Sequence, residues 1–107
     1  MALEFDHVAL STKDITRDIA FYRENFPSLE VLYEDETWAF LKIGDFKLAL
    51  VTPGEHPPHV AFRAASREEF EHLAAEADRN IMVHRDKSES FYIKDPSGNP
   101  VEIVWYP

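Results

Sequence analysis

The stretch His7-Val8-Ala9-Leu10 returns 52 residues later as His59-Val60-Ala61-Phe62. The same offset carries Asp14 onto Ser66, Phe40-Leu41-Lys42 onto Tyr92-Ile93-Lys94, and Ala49-Leu50-Val51 onto Val101-Glu102-Ile103. A single gapless register of this kind marks a duplicated unit. In a chain of 107 residues each copy is too short to bury a core alone, so the copies must share one domain. The expected organisation is one domain over residues 1–107, built from repeats 1–52 and 59–107 and joined by the Pro/Gly-rich linker 53–58.

Each copy reads as βαβββ. In the first, Phe5 to Leu10 alternates as a strand, and Ile15, Ile19, Tyr22 and Phe26 form one helical stripe behind the N-cap candidate Asp14, which Pro27 ends. Strands are expected over Leu29 to Glu34, Thr37 to Ile43 and Phe46 to Thr52, the last two joined at Gly44-Asp45. In the second, His59 to Ala64 is a strand and Ser66-Arg67-Glu68-Glu69 is a capping box, followed by the stripe Phe70, Leu73, Ala74 and Ala77. Ile81 to His84, Ser88 to Lys94 and Pro100 to Tyr106 complete the copy, with a turn at Asp95-Pro96-Ser97-Gly98-Asn99.

Glu102 sits in the middle of the apolar run Val101 to Tyr106. A lone ionised carboxylate buried there costs several kcal/mol, of order ~3 or more, so it must be protonated, paired with a cation or bound to a metal. The repeat supplies the partner. A pseudo-two-fold axis brings His7 and His59 to symmetric places and sets Glu102 against Leu50, leaving two imidazoles and one carboxylate. Such a set, with coordination positions left open, suits Fe(II), Zn or Mn. His56, His72 and His84 read as solvated, in the linker, on a helix face and at a strand end, and of the three only His56 is placed near the site.

Composition narrows the chemistry further. There is no cysteine, so thiolate ligands, thiol nucleophiles and disulfides are excluded, and an intracellular location is the default. Twenty acidic against eleven basic residues give a formal charge of −9, which repels nucleic acid and anionic membranes. No basic or apolar leader opens the chain, and no run approaches the roughly 18 apolar residues of a bilayer span. A cytoplasmic protein that engages neither nucleic acid nor membrane is expected.

The stretches Asp6-His7-Val8-Ala9-Leu10, Ala20-Phe21-Tyr22-Arg23, His59-Val60-Ala61-Phe62 and, above all, Phe91-Tyr92-Ile93-Lys94-Asp95-Pro96-Ser97-Gly98-Asn99-Pro100-Val101-Glu102-Ile103 resemble the vicinal oxygen chelate superfamily. That superfamily includes glyoxalase I, extradiol dioxygenases, fosfomycin-resistance transferases and bleomycin-resistance binding proteins. The resemblance implies an α+β fold in which two βαβββ modules form a cup-shaped, partly open mixed barrel. It also implies one divalent metal ion (Fe, Mn, Zn, Ni or Co) on His7, His59 and Glu102, and a homodimer. Glyoxalase I commonly has a fourth, carboxylate ligand at the place of Leu50, so the set here is closer to the fosfomycin-resistance transferases and the extradiol dioxygenases. Ser90 and Tyr92 match substrate-side positions of the former.

The expectation is a small metal-dependent enzyme acting on a compact oxygen-rich substrate by lyase, isomerase, group-transfer or dioxygenase chemistry. Glu102 and Tyr92 are the candidate catalytic residues, and Tyr92, Ser90, Arg63, Trp38 and Phe40 the candidate substrate contacts. Arg63 shares a strand face with His59 and is placed to receive an anionic group. The alternative is a metal-free protein that sequesters an aromatic or cationic drug, for which the acidic charge and Trp38, Trp105, Tyr92 and Phe40 are suited.

Overall fold

The computed structural model describes residues 3–107. Its elements, in chain order, are β1 (Leu3–Ser11), α1 (Ile15–Asn25), β2 (Leu29–Glu34), β3 (Trp38–Ile43), β4 (Phe46–Val51), β5 (His59–Ala64), α2 (Arg67–Ala77), β6 (Met82–Val83), β7 (Glu89–Lys94) and β8 (Pro100–Trp105). This is βαβββ twice. The strands follow the order β2-β3-β4-β1-β5-β8-β7-β6. By compactness the chain divides within β1: residues 3–6 group with His59–Pro107, and His7–Pro58 form the other unit. No described helix is long and apolar enough to cross a membrane.

In the unit His7–Pro58, β4 pairs antiparallel with β3 and parallel with β1. The Asp14 carboxylate caps α1 by accepting from the Arg17 amide at 3.0 Å. Ile15 and Ile19 then bury against Ala39, Leu41, Leu48 and Leu50. Alternation along the strands sends Ala49 and Val51 to the opposite face, where they pack with Ala9, Trp38 and Phe40. Phe26, expected in the helical stripe, is instead the C-cap: it is 39% exposed and stacks on Tyr22.

In the other unit, β8 pairs parallel with β5 and antiparallel with β7. Ser66 caps α2 by accepting from the Glu69 amide at 3.1 Å, and Asp78 closes it in the left-handed conformation (φ 53°). Phe70 and Ala74 pack on Ala64, Phe91 and Ile103. Since Phe91 and Ile103 face the helix, Ser90, Tyr92, Glu102 and Val104 face the other way.

The repeat is not gapless in three dimensions. Lys42 pairs with Lys47 across the first hairpin, but Lys94 pairs with Pro100 across the second, which is one residue longer. The extra residue is absorbed by the Asp95–Asn99 turn, where the Asp95 carboxylate accepts from the Ser97 and Asn99 amides and Gly98 takes φ 87°. The pair Phe40/Ala49 therefore corresponds to Tyr92/Glu102. The counterpart of Glu102 is Ala49, not Leu50 as the constant offset implied; Leu50 points into the α1 cluster. The conclusion that the first repeat offers no carboxylate at this position survives the correction.

Candidate metal centre

β5, β7 and β8 bring three polar side chains of one unit together, His59, Tyr92 and Glu102. Glu102 lies opposite Tyr92 on β7 and Ala61 on β5. Its Oε1 is 3.3 Å from His59 Nε2, with only 7% and 4% of the two side chains exposed. Two donor atoms each about 2.1 Å from one cation, at an angle between 90° and tetrahedral, stand about 3.0–3.4 Å apart. The observed spacing fits that requirement. The Tyr92 ring meets the His59 ring edge-on (centroids 5.1 Å apart, 83°), and its hydroxyl hydrogen-bonds to Glu102. Burial first, and then the charge of Glu102 and this hydrogen bond, push the Tyr92 phenol well above its ordinary pKa, which keeps it a donor.

The other unit repeats half of this arrangement. His7 is buried and sets its ring edge-on to Phe40 at 5.3 Å and 89°, as His59 does to Tyr92. Ala49 stands where the second repeat has Glu102. Trp38 stacks on Tyr33 (4.5 Å, 29°) and lies 6.1 Å from Phe40, whose ring carries Lys47 Nζ at 5.7 Å. Within one unit the buried His59 and Glu102 offer an imidazole and a carboxylate, donors that suit a borderline divalent cation, and His7 in the other unit is itself a buried imidazole.

Two expected substrate contacts are engaged elsewhere. Arg63 bonds to Glu4 and, at 3.1 Å, to Asp6 Oδ1; the Asp6 carboxylate is fully buried and also accepts from the Tyr106 hydroxyl at 2.6 Å. Its neighbouring carboxylates, led by the hydrogen bond to Glu4, raise the Arg63 pKa further. The guanidinium thus meets the chain's own carboxylates. Ser90 is fully buried, its Oγ 2.6 Å from His84 Nε2.

His84 is the residue that sequence reasoning missed. Expected to be solvated, it is 23% exposed and places Nε2 3.9 Å from Glu102 Oε2. The signal available was parity: residues 82 and 84 share a face, and Met82 pairs with Ser90. His72 does lie on an exposed helix face, beside Glu76.

Comparison with known proteins agrees with this architecture. The family model described as the Glyoxalase/Bleomycin resistance protein/Dioxygenase superfamily matches residues 4–103. No curated protein matches the chain. A superfamily member of that description from Vibrio splendidus 12B01 is 17% identical, with a TM-score of 0.69 over 98% of this chain and 100% of its own. A hypothetical protein from Bacillus halodurans C-125 is 18% identical, with a TM-score of 0.71 over 100% of this chain and 96% of its own. A variant of homoprotocatechuate 2,3-dioxygenase from B. fuscum is 18% identical, with a TM-score of 0.72 over 94% of this chain but 33% of its own. At these identities the likeness is one of fold.

Proposed function

The chain belongs to the glyoxalase/bleomycin resistance protein/dioxygenase superfamily, and from that premise we propose that it is a small divalent-metal-dependent enzyme acting on a compact, oxygen-rich substrate. The observation that carries the proposal is the buried His59 Nε2 to Glu102 Oε1 approach of 3.3 Å, the spacing of two ligands on one ion. His7 is the third ligand in this reading. What supports it is its burial and its ring contact with Phe40, which duplicate the setting of His59.

A divalent cation held by these residues would serve as a Lewis acid toward adjacent substrate oxygens. Tyr92 holds the Glu102 carboxylate through its hydroxyl and remains protonated while it does so. Tyr92 and Phe40 pack edge-on against the two imidazoles and restrict their ring planes. Among superfamily chemistries, lyase, isomerase, group-transfer and dioxygenase reactions all fit this donor set, and a homodimer acting in the cytoplasm is part of the proposal. A second reading, a metal-free protein that binds an aromatic or cationic compound, has in its favour the Tyr33, Trp38 and Phe40 run with its exposed Tyr33 edge.

Calorimetric titration of chelator-stripped protein with Mn, Fe(II), Co, Ni and Zn tests the choice. The enzyme reading expects one site per chain for at least one of these ions. Heats no larger than dilution for all five, with saturable binding of a planar aromatic cation, would establish the second reading instead.

A further inference from the structure

We infer that His84 is a positioning residue for Glu102, one that fixes which carboxylate oxygen is presented to the cation. The inference rests on the metal reading above. The Tyr92 hydroxyl bonds the Glu102 carboxylate from β7, and the two carboxylate oxygens have different imidazole neighbours: Oε1 faces His59 Nε2 at 3.3 Å, and Oε2 faces His84 Nε2 at 3.9 Å. The terminal torsion of a glutamate is broad and roughly two-fold, so nothing within the side chain itself selects one oxygen over the other. Selection must come from what stands around it, as it does at metal sites generally.

The imidazole of His84 is held firmly enough to make that selection. Its backbone closes the turn between β6 and β7, donating to the Ser88 carbonyl at 2.8 Å and accepting from the Lys87 amide at 3.0 Å. Lys87 takes φ 70°, and Ser88 is fastened to the Asp86 carboxylate through its amide at 2.9 Å and its hydroxyl at 2.5 Å. From this turn the ring reaches the fully buried Ser90 hydroxyl at 2.6 Å. Nε2 of His84 thus stands between Ser90 Oγ and Glu102 Oε2, and in the tautomer that carries its proton there the ring donates to Ser90 Oγ and presents a positive edge to Oε2. Ser90 then acts as the anchor of this imidazole and has no exposed surface for a substrate.

The test is the affinity of stripped protein for Co(II), read by calorimetry and by the visible absorption of the bound ion, in the parent, His84→Phe, His84→Gln and Ser90→Ala. Loss of a residue that orients a ligand costs about 10–100-fold in affinity. His84→Phe is expected to lose that much while keeping one ion per chain. His84→Gln, whose amide N–H falls near Nε2–H, is expected to recover at least half of the loss on a logarithmic scale, and Ser90→Ala to lie between parent and His84→Phe. Equal affinity in all four proteins would overturn the inference alone. So would equal losses in His84→Gln and His84→Phe, or the abolition of binding by His84→Phe, which would make His84 a ligand. A parent that takes up no Co(II) or any other of the five ions would remove the metal reading and this inference together.

Discussion

Tyr92 stands directly opposite Glu102 across the β7–β8 ladder and hydrogen-bonds to its carboxylate. In the first repeat the same places are held by Phe40 and Ala49. The hydroxyl and the carboxylate thus occur together in one repeat and are absent together from the other, as expected if each buried polar group serves as the other's partner. Tyr92→Phe restores the ring found at position 40 and is expected to fold normally. Loss of a hydrogen bond to a charged group should cost about 1.5–3 kcal/mol in urea unfolding of the metal-free protein. A change below about 0.5 kcal/mol would show that the hydroxyl adds nothing to Glu102.

The longer second hairpin makes a prediction about neighbouring positions. Leu50→Glu drives a carboxylate into the cluster beneath α1, among Ile15, Ile19 and Leu41, and is expected to cost about 3 kcal/mol or more. Ala49→Glu places it opposite Phe40, on the face away from α1, and is expected to cost clearly less, with the parent's circular dichroism retained. The reverse order of stabilities would restore the gapless register and make Leu50 the counterpart of Glu102.

Much of this was legible in the residues. Phe70 at the helix-facing stripe, the Ser66 cap and the strand from His59 to Ala64 follow from local periodicity and capping, and the structure has them where those rules put them. What local rules miss is any relation set by turn length. The extra residue in the Asp95–Asn99 turn shifts the partner of Glu102 by one without disturbing the alternation within β8. His84 follows a two-residue strand, too short to show a period, and its partners Ser90 and Glu102 come from two other strands. The carboxylate partners of Arg63 were not legible because they lie at the far end of the chain, on β1.

The Arg63 cluster should behave as a structural clasp. Arg63→Met leaves the Asp6 carboxylate buried with the Tyr106 hydroxyl as its remaining named partner and is expected to cost about 2 kcal/mol or more. Combining it with Asp6→Asn removes the buried charge, so the double variant should be more stable than Arg63→Met alone. If Arg63→Met unfolds at the same urea concentration as the parent, the guanidinium is free for the substrate role first expected of it.

Acid stability should depend on Asp35. Burial raises the pKa of its carboxyl, but hydrogen bonds from the Tyr33 hydroxyl, the Thr37 and Trp38 amides and the Thr37 hydroxyl outweigh that effect and hold it below the ordinary aspartate range. A group whose folded pKa is depressed stabilises the fold fully above its unfolded pKa of about 3.9, and that stability is lost as pH falls below this value toward the folded pKa. Asp35→Asn should therefore lower stability at pH 7 and flatten its decline between about pH 5 and pH 2. An unchanged slope over that window would show that the turn does not depend on the ionised carboxylate.

The most direct test of the central claim is metal content by elemental analysis of tag-free parent protein and of the Glu102→Gln and His59→Gln variants, each loaded with the best-bound of the five ions and then desalted. The account predicts about one ion per chain in the parent and almost none in either variant, with all three folded by circular dichroism. A parent that retains no ion, or variants that retain as much as the parent, would contradict it.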